Sequence, residues 1–165
     1  MNLFSEADLI SFGQKLGEKL DAPAVIELIG DVGSGFSKVS LDFEMGEFIA
    51  ITGESGSGKT TLTRGIARGL GVKGPISSPS FTISKHYAYA KNKHEHNLVH
   101  YDFYRLPDPG LMAEDLAESL SDQNTITIIE WADTVADLLP EKRLTIKISL
   151  NDDGSRSIEM IDRIK

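Results

Sequence analysis

Gly53-Glu54-Ser55-Gly56-Ser57-Gly58-Lys59-Thr60 satisfies the pattern G-x-x-x-x-G-K-[ST] in full. The run Phe48–Thr52 leads into it as a strand, and Leu62, Ile66 and Leu70 follow at helical spacing up to Gly71. Strand, glycine-rich loop and helix in this order make a P-loop. The glycines let the backbone fold tightly, so that its N–H groups point inward at phosphates. The helix N-terminus adds partial positive charge, Lys59 can reach the β- and γ-phosphates, and the Thr60 hydroxyl can ligate Mg²⁺. The motif predicts a site for a nucleoside triphosphate with Mg²⁺.

Outward from the loop, strands and helices alternate. Ser5 with Asp8 three residues on predicts a helix cap, and Leu9, Phe12, Leu16 and Leu20 keep helical spacing until Pro23. Val25–Ile29 reads as a short buried strand, and Lys38–Phe43 and Glu47–Thr52 as strands joined by a turn at Glu44–Gly46. Beyond a proline-containing loop at Gly74–Ser80, Phe81–Tyr89 alternates like a strand. Lys91–Asn97 reads as a hairpin tip and Leu98–Phe103 as the return strand. A helix over roughly Leu111–Leu120, a buried strand at Thr125–Ile129 and a short helix at Thr134–Leu139 follow. Leu144–Leu150, a turn at Asn151–Gly154 and Ser157–Ile161 close the chain as a hairpin. The expected class is α/β: a P-loop NTPase three-layer fold, in one domain, with a mixed, largely parallel sheet plus antiparallel hairpins.

A P-loop site also needs an acid beside the metal, commonly at a strand end. Glu130 ends Thr125–Ile129, and Asp102 sits in His100-Tyr-Asp-Phe-Tyr-Arg105. Glu130 is the expected metal-side acid and Asp102 its helper. Trp131 either packs in the core or borders the site, and Arg105 either meets phosphate or pairs with a carboxylate. His94 and His96 have the i, i+2 spacing of some metal sites, but no third ligand is near, and they read as a solvated hairpin tip.

Composition narrows the classes. The 165 residues carry 17 basic against 25 acidic side chains, a net charge of −8, so direct binding of RNA or DNA by this chain alone is not expected. No apolar run approaches membrane-span length and no secretory signal pattern opens the sequence. The absence of cysteine excludes disulfides and thiolate metal sites and fits a cytoplasmic protein.

The ordered motifs resemble the bacterial TsaE (YjeE) family, ATPases of the machinery that makes threonylcarbamoyladenosine in tRNA. The resemblance rests on Gly58-Lys-Thr-Thr-Leu-Thr-Arg-Gly-Ile-Ala-Arg-Gly-Leu-Gly71, Ser78-Pro-Ser-Phe-Thr82, His100-Tyr-Asp-Phe-Tyr-Arg-Leu106, Ile129-Glu-Trp131 and Leu139-Pro140. It implies slow ATP hydrolysis in a complex with two partner proteins. It implies phosphate contacts from Ser55, Gly56, Ser57, Gly58, Lys59 and Thr60, with Thr61 beside them, and Mg²⁺ on Thr60 and Glu130. By the same resemblance Asp102 and the 78–82 loop lie near the γ-phosphate, with Lys59, Asp102 and Glu130 carrying the chemistry. Glu6, Gly154 and Arg156 lie near the adenine.

One feature departs from the family. Gly30-Asp-Val-Gly-Ser-Gly35-Phe36-Ser37 repeats the loop frame 23 positions before Gly53, with Phe36 where Lys59 stands. Removing Phe36–Gly58 joins Gly35 to Lys59 and restores an uninterrupted P-loop. The removable stretch resembles the hairpin and P-loop that open ABC-type ATPases. The alternative reading is therefore an engineered or recombinant chimera that holds nucleotide as a scaffold without productive turnover. No nucleotide is expected at the first copy. Of the two strands, Glu47–Thr52 should take the place beside the P-loop, and Val25–Ile29 should move outward or pair elsewhere. An ABC transporter subunit is excluded because no Leu-Ser-Gly-Gly-Gln signature occurs; a small-molecule P-loop kinase stays open as a reading, although no Arg-rich lid segment is found to close over a second substrate.

Overall fold

The computed structural model describes residues 2–3, 5–21, 24–29, 47–52, 56–104, 106, 108, 110–141 and 143–162. The strand expected over 38–43, its turn at 44–46, the first loop copy at 30–37, and Gly53, Glu54, Ser55 and Arg105 lie outside them.

In chain order the elements are β1 (Asn2–Leu3), α1 (Glu6–Lys19), β2 (Ala24–Ile29), β3 (Glu47–Thr52) and α2 (Lys59–Leu70). β4 (Ser84–Lys91), β5 (His94–Asp102), α3 (Leu111–Ser121) and β6 (Thr125–Glu130) follow. A 3₁₀ helix (Ala132–Leu138), β7 (Leu144–Leu150) and β8 (Arg156–Asp162) complete the chain. The sheet runs β1-β8-β7-β2-β3-β6-β5-β4, with further β7–β3 and β2–β6 pairings. Its centre is parallel and both ends are antiparallel hairpins, as the sequence pattern implies.

Side chains alternate across a strand, and this sorts the core into two layers. Leu98, Ile126, Ile128, Ile146 and Ile148 face α1 and α2, where they meet Leu9, Leu16, Leu62 and Ile66. Val99, Tyr101 and Ile129 face the other way, toward Leu116 of α3 and Val135 of the 3₁₀ helix. Fully burying a Leu or Ile contributes about 1.5–3 kcal/mol, so these layers carry most of the fold's stability.

α1 begins where Ser5 caps it, its Oγ accepting the Asp8 N–H at 3.2 Å. Its contact with α2 is close enough to require glycine. A Cβ on Gly17 would stand 2.2 Å from the Ile66 carbonyl oxygen, and one on Gly69 would stand 2.1 Å from that of Gln14. Gly13 and Gly65 make the same contact one turn earlier in each helix. The seam presses α1 directly onto the helix of the P-loop.

Three expectations change. Phe81 and Ile83 are not strand: the Thr82 and Ile83 N–H groups both donate to the Pro79 carbonyl in a tight turn, Phe81 is fully exposed, and β4 begins at Ser84. Proline at 79 favours that turn over an extended entry. The hairpin tip is only Asn92-Lys93, both at positive φ (54° and 67°), so His94 and His96 belong to β5. A two-residue turn of this hand matches strand twist and needs no longer loop.

The third change concerns β2, which does not move outward. It pairs in parallel with β6 from Ala24↔Ile126 to Leu28↔Glu130, and with β7 from Ile26↔Leu144 to Ile29↔Lys147. β3 registers on the same four β7 residues, from Ile49↔Leu144 to Thr52↔Lys147. Since β8 holds the other edge of β7, one set of N–H and C=O groups faces two strands. β2 and β3 also pair with each other in parallel, at Ala24↔Glu47 and Val25↔Phe48, and β3 meets β6 at Ala50↔Ile129, so both strands lie between β7 and β6. Both are the near-continuous apolar runs that a doubly covered parallel strand requires.

Candidate functional site

The period of two that buries Leu98, Ile126 and Ile128 also places His100, Asp102 and Glu130 on the α2 side, at the carboxyl ends of β5 and β6. Asp102 and Glu130 are register partners. Gly58 precedes α2 at φ 111°, a conformation that strains any side chain, and a Cβ there would also press on Leu9 Cδ2 at 2.5 Å. The loop and the strand ends enclose a cleft of about 880 Å³ lined by Gly56, Lys59, Thr60, Asp102, Glu130 and Trp131, among others. In open α/β sheets this end is where ligands bind.

Lys59 is buried, and its Nζ lies 4.7 Å from the centre of the Trp131 ring. Trp131 opens the 3₁₀ helix at φ 59° and stands 5.0 Å from the Tyr104 ring. It lines the cleft while packing on the second core layer, so both readings of this residue hold. Thr60 Oγ1 lies 3.5 Å from Glu130 Oε1, whose carboxylate is also 2.9 Å from His100 Nε2. Asp102 is equally well fixed: it accepts from the Ser78 hydroxyl at 3.2 Å, the Ser80 hydroxyl at 2.5 Å and the Tyr104 N–H at 3.0 Å. The serines belong to the expected 78–82 loop, which thus reaches the acid.

On the opposite wall, Glu6 Oε1 accepts from the Thr61 hydroxyl at 3.3 Å, and Arg64 Nη1 lies 3.8 Å away. Arg156 Nε donates to the Ser57 carbonyl at 2.9 Å. The turn before Arg156 is tied by Asp153, which Ser155 holds below the usual carboxylate range through its side chain and its N–H. Of the residues expected from sequence, Glu6, Gly56, Gly58, Lys59, Thr60, Thr61, Asp102, Glu130 and Arg156 line the cleft. Ser57 is buried beneath it, Gly154 shapes the turn at φ 78°, and Ser55 lies outside the described residues. His94 and His96 are remote, with His96 stacked on Tyr89 at 5.4 Å. Sequence reasoning missed Tyr104 and the contact of His100 with Glu130. The second was signalled by the shared strand face of His100 and Asp102.

The sheet order, the strand–loop–helix unit and the acids at the strand ends define a P-loop α/β protein. A sequence model of the family described as "Threonylcarbamoyl adenosine biosynthesis protein TsaE" matches residues 36–158. The TsaE protein of Haemophilus influenzae is 33% identical over 156 residues, 94% of this chain and 84% of that protein. The Bacillus subtilis TsaE is 37% identical over 114 residues, 68% of each chain. The crystal structure of Bacillus subtilis YdiB superposes with a TM-score of 0.65 at 25% identity, covering 98% of this chain and 83% of that one. The chain belongs to the TsaE family. The match includes all of residues 36–58.

Proposed function

We propose that this protein binds ATP with Mg²⁺ in the cleft, hydrolyses it slowly, and supports threonylcarbamoyladenosine formation in tRNA together with two protein partners. The observation that carries the reading is the convergence of Lys59, Thr60, Asp102 and Glu130 on one cleft at the carboxyl end of the sheet. The family name and the names of the relatives support the biological role. Thr60 Oγ1 and Glu130 Oε1, 3.5 Å apart, are hard oxygen donors of the kind Mg²⁺ takes, and Mg²⁺ with nucleotide uses only one or two protein ligands. When bound, it would neutralise charge on the phosphates during attack. Lys59 and the N-terminus of α2 hold the phosphates, and Asp102, fixed by three donors, orients the attacking water. With a net charge of −8, the chain reaches tRNA through its partners.

Thermal unfolding with and without ATP tests the binding step. At about 100 times Kd, ATP should stabilise the parent by about 2.7 kcal/mol. Lys59→Ala should unfold at the parent's ligand-free temperature and gain little from ATP. Equal ATP-induced shifts in both proteins would reject the site.

A second reading draws on the shared register of β2 and β3 on β7. Here residues 36–58 are an ABC-like unit interrupting the family's course, and the protein is a chimeric scaffold that holds nucleotide without turnover. ATP hydrolysis measured with and without the partner proteins separates the two. Turnover that rises with partners rejects the scaffold.

A further inference from the structure

We propose that His100 is a positioning residue for Glu130, holding its carboxylate at Oε1 so that the group stays presented to the cation of the cleft; this rests on the Mg²⁺–nucleotide reading above. The two side chains are almost wholly buried, and Nε2 stands 2.9 Å from Oε1. A carboxylate only accepts, so this bond takes a hydrogen on Nε2. Glu130 has one other hydrogen-bond donor among the described residues, the Thr60 hydroxyl, at 3.5 Å. That hydroxyl faces the cleft and is itself a proposed cation ligand. Once it turns to the cation, His100 is the remaining donor to Glu130 among the described residues.

His100 is not among the residues lining the cleft, so it acts through Glu130 and not by touching nucleotide. Its place follows from register: His100 sits opposite Ile128, one step behind the Asp102–Glu130 pair on the same face of the sheet. A ring there lies beneath the carboxylate and approaches from the core side. Carboxylates that ligate metals are themselves hydrogen-bonded in this way, and loss of such a partner typically weakens metal affinity 10–100-fold.

The experiment measures affinity for the non-hydrolysable analogue AMP-PNP by calorimetry, in EDTA and across a Mg²⁺ titration. It compares the full-length parent with His100→Leu, His100→Gln and His100→Asn. His100→Leu should leave affinity in EDTA unchanged and reduce apparent Mg²⁺ affinity by about tenfold or more. Gln places a donor at the reach of Nε2 and should restore most of the loss, whereas the shorter Asn should not. If His100→Leu does not fold, the Gln–Asn difference carries the test alone. A parent whose affinity ignores Mg²⁺ overturns the reading of the cleft and this inference with it. A parent that responds to Mg²⁺ while the variants respond equally, or with Gln no better than Asn, overturns the role of His100 alone.

Discussion

β5 and β6 run side by side in one register, six residue pairs from Asn97↔Thr125 to Asp102↔Glu130, and their acids arrive at the cleft already hydrogen-bonded. Further along the same sheet two strands share one partner: β2 and β3 both register on Leu144–Lys147, 23 residues apart in sequence at every pair. The difference lies in what each strand carries besides its backbone. His100, Asp102 and Glu130 have specific partners, so a slip of one residue would turn them to the wrong face. β2 and β3 offer β7 the same register and similar apolar runs, and what separates them is the pairing with β6, five residue pairs for β2 against one for β3. Polar side chains with named partners specify a register, whereas an apolar run only fills one.

The contrast leaves α2 as the fixed part of the P-loop, because α1 clamps it through the glycine seam and not through the shared strands. Gly69→Leu should therefore have the largest effect. Its side chain would enter where even a Cβ stands 2.1 Å from the Gln14 carbonyl oxygen, and backbone cannot yield as a flexible side chain does. The expected cost is about 3 kcal/mol or more. Urea unfolding reads it directly, and a variant within about 1 kcal/mol of the parent would mean that the clamp is looser than the helices imply.

The seam was invisible in the sequence for a physical reason. Hydropathy marks what a helix buries, and Gly13, Gly17, Gly65 and Gly69 bury backbone instead. The rest of α1 and α2 was legible, because Leu9, Leu16, Leu62 and Ile66 repeat at helical spacing and all are buried. The acids were legible as strand ends, since Glu130 closes six consecutive buried residues. Phe81 and Ile83 misled for the converse reason: alternation counts apolar residues, while the turn at Pro79 decides where they point. The place of β2 could not be read at all, because two similar apolar runs share β7 as a partner.

Deleting one of the competing units tests the other half of the comparison. Removal of 36–58 leaves β2 leading through Gly35 into Lys59; removal of 24–46 leaves β3 leading into its own loop. Each should fold and bind ATP. Closing a loop of this length costs about 3 kcal/mol of chain entropy, which bounds the stabilisation either deletion can bring. Melting curves with and without ATP provide the comparison. If one deletion unfolds and the other does not, the strand lost in the first is the one the sheet requires.

On the fixed side, Glu130→Gln keeps shape and hydrogen-bonding reach but removes the charge. Mg²⁺-dependent gain in nucleotide affinity should fall at least about tenfold, or about 1.4 kcal/mol, with affinity in EDTA unchanged. An unchanged Mg²⁺ response would move the cation role to Asp102, whose oxygens share the same cleft.

The smallest effect concerns how β6 is entered. Asp122 ends α3, accepts the Thr125 hydroxyl at 2.6 Å and the Asn124 N–H at 3.0 Å, and is held by those bonds below the usual carboxylate range. A depressed folded value means that the stabilisation is complete above the unfolded pKa, about 3.9, and fades as pH falls through the folded one. The group is near the surface, so solvent screening keeps its worth small, and Asp122→Asn should cost roughly 0.5 kcal/mol at pH 7. Urea midpoints of parent and variant should then converge below about pH 4. Mg²⁺-dependent nucleotide affinity should stay at the parent's value, because the Asp102–Glu130 pairing is held at the far end of the strand by His100 and the serines. A variant that loses Mg²⁺ response along with stability would mean that the turn before β6, and not the polar partners at its end, sets the register.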